Sequence, residues 1–513
     1  MLQGNYEKKI IKPLEHELHE YANGTNKGIL CCLANLMYRN FNNGIALPSA
    51  CNDTDSKGII ARGEAPKQSN LYNSSLCVIR VQAFVLLLAI VLIFSGCKKE
   101  EEKSEMDLKR EQREREWAEY GQKAATKEID EKASAQVDFE DKTEAQISAE
   151  PLRKMKVGVL GAETGELFEY GLKTLKAVQL AVEEVNAAGG INGQPLELVH
   201  YDTGSTINGT LSAVDSLIDK EKVAAIIGSA TNEVTFSSTK KLNDHQTILI
   251  SAGTRRRIGD TGPYMFRTTL PDDIAVDELV DYCINKLGIK KFALLSSMSN
   301  DYSISLTALF KRFILNKGGE IVEDCFLWSE TTANISKEEC SIESQIGKIK
   351  SKPPDAVVYT GDPVEGVKIA KEMRRQGIKA PLIGGEDLYI DNFLKDGKDA
   401  VLGTIVYSGF YGNSNSPQTK KFVDSYRKKT GESPDRIAAL GYEALMMVAE
   451  ALKKTKSMRP THIRDSLSGI KDFKGVTGAV SFTDNREAKK HAYILKAEKE
   501  GEKIRFNLIG GEG

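Results

Sequence analysis

The apolar and polar positions divide the chain into four stretches of different character. Residues 1–75 carry scattered polar side chains with no sustained period. Residues 81–94, VQAFVLLLAIVLIF, form an almost unbroken apolar run. Residues 98–150 are dominated by Glu, Lys, Arg, Ala and Gln, with too few apolar side chains to bury a core of their own. From Lys156 onward, short apolar runs alternate with stretches of helical period. MKVGVLG reads as a strand ending at Gly161, LKTLKAVQLAVEEVNAAGG as a helix stopped by Gly189 and Gly190, and PLELVHYD as the next strand. Further strands are predicted in VAAIIGSA, TILISAGT, KFALLSS, EIVEDCFLW, DAVVYTG, APLIGGED and GTIVYSGF. Helices are predicted near residues 234–244, 274–287, 305–316, 364–377, 418–429, 438–454 and 461–467, followed by strands in GAVSFT and HAYILKAEK.

Repeated strand-helix-strand order with mostly unbroken apolar strands predicts an α/β fold, with parallel sheets covered on both faces by helices. The body is too long for one such sheet, so two lobes are expected. Doubly wound sheets bind ligands outside the carboxyl ends of their strands, where helix N-termini offer free N–H groups. Those ends supply the candidates. They are Glu163, Thr164 and Tyr170 after the first strand; Ala230, Thr231 and Asn232 after VAAIIG; Gly253 and Thr254 after TILISA; Asp301 and Tyr302 after KFALLSS; Asp362 after DAVVYTG; and Glu386 with Asp387 after PLIGG. The set holds hydroxyls, amides and carboxylates, and neither His nor Cys.

Composition narrows the classes. At 513 residues, 41% hydrophobic and 28% charged, the chain is not collagen-like, wholly disordered or a polytopic membrane protein. Lys and Arg number 70 against 72 Asp and Glu, and a net charge of −2 gives no general attraction to nucleic acid. Catalytic motifs fail on context. Ser237-Ser238-Thr239-Lys240 and Lys429-Thr430-Gly431 fit two signatures of serine penicillin-binding enzymes, but the second ends a predicted helix and no S-D-N lies between them. No phosphate loop or dinucleotide fingerprint is present, and no nucleophile stands beside a base. The expectation is a protein that is not an enzyme, with no metal and no cofactor. His16 and His19 form an isolated H-x-x-H without further ligands. Eight cysteines are too few for a disulfide scaffold, but Cys325 and Cys340 flank a polar insertion, where an oxidising compartment allows them to pair.

The run at 81–94 is short for a membrane span, which needs about 20 residues, and suits the apolar part of a signal peptide. It ends in Ser95-Gly96-Cys97, which resembles the lipobox of bacterial lipoproteins. That resemblance implies a signal peptide over 76–97, lipid attachment at Cys97, and export of everything beyond it to face the periplasm or the cell exterior. Residues 1–75 then form a doubtful leader, and the expected start lies downstream, at a codon such as that of Leu71, Leu76 or Val78. Residues 98–150 are read as a charged tether.

The body resembles the leucine/isoleucine/valine-binding family of type 1 periplasmic binding proteins, the extracytoplasmic receptors of ABC importers. The stretches carrying the resemblance include KVGVLGAETGELFEYG, VQLAVEEVNAAGGINGQPLELVHYD, KVAAIIGSA, GPYMFRTT, APLIGGEDLY, YRKKTGESPD and GVTGAVSF. It implies two Rossmann-like lobes joined by a three-segment hinge, with lobe 1 over 152–271 and 411–480 and lobe 2 over 272–410 and 481–513. It also implies an amino acid or amino-acid-like ligand and an ABC permease as partner, the alternative being an envelope sensor or interaction lipoprotein. Asn232 stands where the family places a Ser for the ligand carboxylate, and Thr254 matches the Thr of its S-x-T turn. Tyr170 and Tyr302 match aromatic pocket walls. Glu386 matches the acid that pairs the ligand ammonium, and Asp362 falls where relatives tend to place Tyr. Arg255, Arg256 and Arg257 follow Thr254 where neutral residues are usual, and are read as a solvated surface loop, the alternative being contact with an anionic ligand or partner.

Overall fold

The structure, a computed structural model, describes residues 142–228, 232–298, 301–327 and 341–511. The expected leader, the expected signal peptide with Cys97, the expected tether up to residue 141, Ala230, Thr231 and Cys340 lie outside the described residues.

The first lobe starts with a short helix α1 (Glu144–Ser148). Strands β1 (Lys156–Gly161), β2 (Glu197–Asp202), β3 (Ala225–Gly228), β4 (Ile248–Ser251) and β5 (Met265–Arg267) follow, with helices α2 (Phe168–Ala187), α3 (Ile207–Asp215) and α4 (Asn232–Asp244) between them. The sheet order is β2-β1-β3-β4-β5, and every pair is parallel. Its inner strands are apolar throughout because helices cover both faces. Gly189 and Gly190 end α2 at positive φ, as the sequence suggested.

The second lobe repeats this plan. Its helices are α5 (Asp272–Asn285), α6 (Asp301–Asn316), α7 (Ile342–Ser351), α8 (Pro363–Arg375) and α9 (Asp391–Gly397). Its strands β6 (Lys291–Ser297), β7 (Glu320–Leu327), β8 (Ala356–Thr360), β9 (Leu382–Gly384) and β10 (Ile405–Ser408) run parallel in the order β7-β6-β8-β9-β10. One face packs α5 and α6 around Leu279, Phe292 and Phe310, and the other packs α7, α8 and α9 around Ile346, Ile369 and Phe393.

The chain then returns to the first lobe. Helices α10 (Pro417–Thr430), α11 (Arg436–Lys454) and α12 (Pro460–Ser468) lead into a small sheet of β11 (Phe473–Gly475), β12 (Gly478–Phe482) and β13 (Ala488–Lys489). Phe422, Tyr442, Leu445, Phe482 and Ala488 share one core with Val157 and Ile226. Residues 481–489, expected in the second lobe, therefore belong to the first, because Phe482 and Ala488 find their apolar partners there.

A final hairpin, β14 (Tyr493–Glu500) and β15 (Lys503–Gly510), adds to β10 in antiparallel sense. The second sheet is thus mixed rather than wholly parallel, since strands joined by a tight turn pair only antiparallel. The end of the charged stretch is also folded. Thr143 caps α1, Ile147 is buried, and the Glu150 carboxylate accepts from Lys142 Nζ (2.6 Å), Thr461 N (3.0 Å) and Thr461 Oγ1 (2.5 Å). Among the described residues no helix is long and apolar enough to cross a membrane.

Candidate functional site

Both sheets change direction of winding between equivalent strands, β1/β3 in the first lobe and β6/β8 in the second. Crevices at such points are where helix N-termini and strand ends converge.

In the first lobe, Asp202 at the end of β2 organises the loop after β1. Its Oδ1 accepts from the backbone N–H groups of Glu163 (2.8 Å), Thr164 (3.3 Å) and Gly204 (2.8 Å), and its Oδ2 from Thr164 Oγ1 (2.7 Å). Led by the Thr164 hydroxyl, these bonds hold the Asp202 carboxyl down at about 2. α2 enters closely behind: a Cβ on Gly171 would stand 2.0 Å from the Ala162 carbonyl oxygen. Tyr170, 45% exposed, borders a shallow hollow with Leu160, Thr174, Thr203 and Val234.

After β4, Ser251 Oγ accepts from Thr254 N (3.2 Å), turning the chain so that Gly253 and Thr254 are buried. Arg267 on β5, only 1% exposed, fixes the next step. Its Nη1 donates to the carbonyls of Thr254 (3.4 Å) and Arg255, while its Nε donates to Glu487, whose other oxygen accepts from Gly259 N (2.8 Å). The buried Arg267–Glu487 pair thereby sets the path of residues 254–259.

In the second lobe, Glu386 opens a 3-10 turn (Glu386–Leu388) and is 7% exposed. Its Oε2 accepts from Gly409 N (3.2 Å). Asp272 heads α5 and accepts from Tyr407 Oη (2.9 Å) and Tyr302 Oη (3.3 Å). Burial lifts the Asp272 carboxyl to about 6, with Arg255 pulling the other way.

Arginines from the first lobe reach into this acidic group. Arg255 donates to the Tyr302 hydroxyl and the Asp387 carboxylate, and its guanidinium carbon lies 4.4 Å from the centroid of the Tyr302 ring. The Arg255 Nη1 is 3.9 Å from both Asp272 Oδ1 and Glu386 Oε1. Burial works against the Arg255 charge, but Tyr302 and the three carboxylates outweigh it and hold the guanidinium firmly protonated. Arg436, the first residue of α11, places Nε 3.2 Å from Glu386 Oε1. Beside them Arg257 Nη2 stands 3.3 Å from Asp273 Oδ2.

The structure therefore gathers Tyr302 and Glu386 of the second lobe around Arg255 and Arg436 of the first, while Thr254, one residue before Arg255, is buried within the first lobe. It does not bring Asp362 into this group: that residue is exposed and caps α8, accepting from Val364 N (2.8 Å) and Glu365 N (3.3 Å). A carboxylate engaged with solvent and a helix end carries no burial cost. Asn232 opens α4. Cys325 is buried on β7 with its thiol toward the Gln345 carbonyl (3.8 Å). The largest correction concerns Arg255 and Arg257, expected in a solvated loop and found paired across the lobes. Sequence reasoning also missed Asp272, Arg436 and Tyr407. Three arginines where neutral residues are usual were the available signal. Among the described residues no group of three or more His, Cys, Asp or Glu side chains is placed to hold a metal.

Two similar α/β lobes, with polar and charged side chains meeting at the carboxyl ends of both sheets, define a two-lobed solute-binding architecture. The chain belongs to the periplasmic binding protein family, which matches residues 154–502. Among curated relatives it is similar to Leu/Ile/Val-binding protein homolog 1 of Brucella suis, 24% identical over 356 residues, covering 69% of this chain and 92% of the relative. Among solved structures it resembles the branched-chain amino acid transporter substrate-binding protein LivJ of Streptococcus pneumoniae in complex with isoleucine. That likeness has a TM-score of 0.56 and 29% identity, over 70% of this chain and 99% of LivJ. An ABC transporter substrate-binding protein from Sphaerobacter thermophilus shares the fold with a TM-score of 0.60 at 18% identity, covering 70% of this chain and 97% of that one.

Proposed function

We propose that the protein is an extracytoplasmic receptor that takes a small, carboxylate-bearing solute of amino-acid size between its lobes and delivers it to an ABC permease. The observation carrying this reading is the meeting of Arg255 and Arg436 of the first lobe with Tyr302, Glu386 and Asp387 of the second, at the carboxyl ends of the two sheets. Similarity to a Leu/Ile/Val-binding homologue and to an isoleucine-bound receptor supports it. In this reading the N-terminus of α4, with Asn232 and the preceding Ala230 and Thr231, joins Gly253 and Thr254 around the solute carboxylate. Tyr170 and Tyr302 border the entrance and walls. Cys97 anchors the chain to a membrane by lipid, facing the periplasm or cell exterior, and the charged stretch provides reach. Groups from both lobes contact the solute together only when the cleft is shut, so the solute stabilises the closed form.

Thermal unfolding of the full chain against amino acids, amides, short carboxylates and sugars tests the reading. A solute that binds only the folded form raises the midpoint in a concentration-dependent way, by about 2.7 kcal/mol of stability at one hundred times its Kd. Glu386→Gln should change the affinity by tenfold or more in isothermal titration; unchanged affinity would remove Glu386 from the site. A flat response across the whole panel would overturn the receptor reading.

A second reading, an envelope sensor or docking lipoprotein of the same fold, is favoured by one feature. The lobes are already joined by their own ion pairs, Arg255 with Asp387 and Arg257 with Asp273. Uptake of labelled solute by cells with and without the gene decides between the two, since a sensor leaves uptake unchanged.

A further inference from the structure

We infer that Arg255 and Arg436 occupy the place of a solute ammonium, and that they select a carboxylate carrying no ammonium group while excluding α-amino acids. This deepens the receptor reading and rests on it, because it concerns the same cleft.

Both oxygens of Glu386 are already engaged. Oε2 accepts from Gly409 N at 3.2 Å, and Oε1 faces Arg436 Nε at 3.2 Å and Arg255 Nη1 at 3.9 Å. An ammonium brought to Oε1 would be set against two guanidiniums in a cleft that excludes most water, where like charges oppose each other strongly. Arg255 is not easily displaced. Its guanidinium is bonded to Tyr302 and Asp387 and lies over the Tyr302 ring, and its carbonyl is gripped by the buried Arg267, which Glu487 holds in turn. A swing of the side chain outward would give up the contacts to Tyr302 and Asp387 and leave Asp387 and Glu386 with less compensation.

A second observation points the same way. The Arg436 Nη1 is buried and has no acceptor among the described residues, on a side chain that is 20% exposed. An unmet guanidinium N–H in the interior is rare and costly, so the site calls for an acceptor there. The planar guanidinium fork suits a carboxylate oxygen better than a neutral group. The cleft thus offers an open donor to an anion, while Glu386, the acid an ammonium would seek, already faces two arginines.

The test uses matched pairs that differ only in the ammonium: leucine against 4-methylpentanoate, and phenylalanine against 3-phenylpropanoate, titrated calorimetrically into the full chain. The expected result is that the simple carboxylate of at least one pair binds tenfold or more tighter than its amino acid. An amino acid that binds as well as or better than its partner would overturn the inference and leave the receptor reading standing. Binding by no member of these pairs, together with a flat response to the wider panel, would overturn both. Arg255→Ala uncovers Glu386 and should move the ratio at least tenfold toward the amino acid; an unchanged ratio would overturn the role given to Arg255. Should that variant fail to fold, Arg255→Gln keeps most of the bulk without the charge and is read in the same way.

Discussion

Asp272 makes the electrostatics of the cleft measurable. Burial raises its carboxyl from 3.8 to about 6 despite the neighbouring Arg255. The folded value lies above the unfolded one, so the folded chain holds the extra proton between about pH 4 and 6. Stability from this group is therefore greatest below pH 4 and is lost as pH rises through 6. Asp272→Asn should remove that limb. In urea unfolding, the difference in stability between parent and variant should change by up to roughly 3 kcal/mol between pH 4 and 7.5, with the parent relatively worse at the alkaline end. Parallel pH profiles would show that Asp272 does not titrate there. At this scale the positions of Tyr302 and Glu386 were legible because strand ends can be read from the apolar pattern. Arg255 was not, because a run of three arginines has the same local signature on a solvated loop as in a cleft lined with acids.

Helices and strands carry the next level of argument. α2 begins against the exit of β1 only because residue 171 has no side chain, its missing Cβ lying 2.0 Å from the Ala162 carbonyl oxygen. Gly171→Ala should push α2 off the crevice, costing about 1–3 kcal/mol in denaturant unfolding and weakening solute binding with it. Wild-type stability and affinity in this variant would mean that the helix moves without consequence. Helical period located α11 from residue 438, whereas the helix starts at Arg436 behind its cap Asp435, which accepts from Ala438 N (3.0 Å). Those two residues matter, because they carry Arg436 to Glu386. The strand β15 escaped notice since KIRFNLIG mixes charged and apolar positions, as suits the edge of a sheet.

Across the whole molecule, three passages of chain join the lobes, and a buried charged knot sits at the third. Lys490 Nζ donates to Glu443 Oε1 (3.1 Å) and Thr477 Oγ1 (2.7 Å), while Thr477 N donates to Glu443 Oε2 (2.9 Å). Both charged side chains are almost wholly enclosed. Lys490→Met leaves Glu443 buried without its cation and should cost about 3–5 kcal/mol in urea unfolding. The double variant Glu443→Leu, Lys490→Met should lose less than that single change, because no lone charge remains. Equal losses would assign the knot's effect to packing rather than to charge.

Alternation of apolar and helical stretches, read along the chain, was enough for the α/β class, the two lobes, most strands and the strand ends where a solute would meet the protein. These are local properties, written within the span of one element. The partners of the charges were not available at that range. Arg255 and Asp387 are 132 positions apart, and Arg267 and Glu487 are 220 apart. Coulombic and hydrogen-bonding partners depend on which loops folding brings together, and no periodicity of either segment encodes the other. The pairing of Arg255 and Arg436 with the acids of the second lobe is settled by that convergence of two lobes.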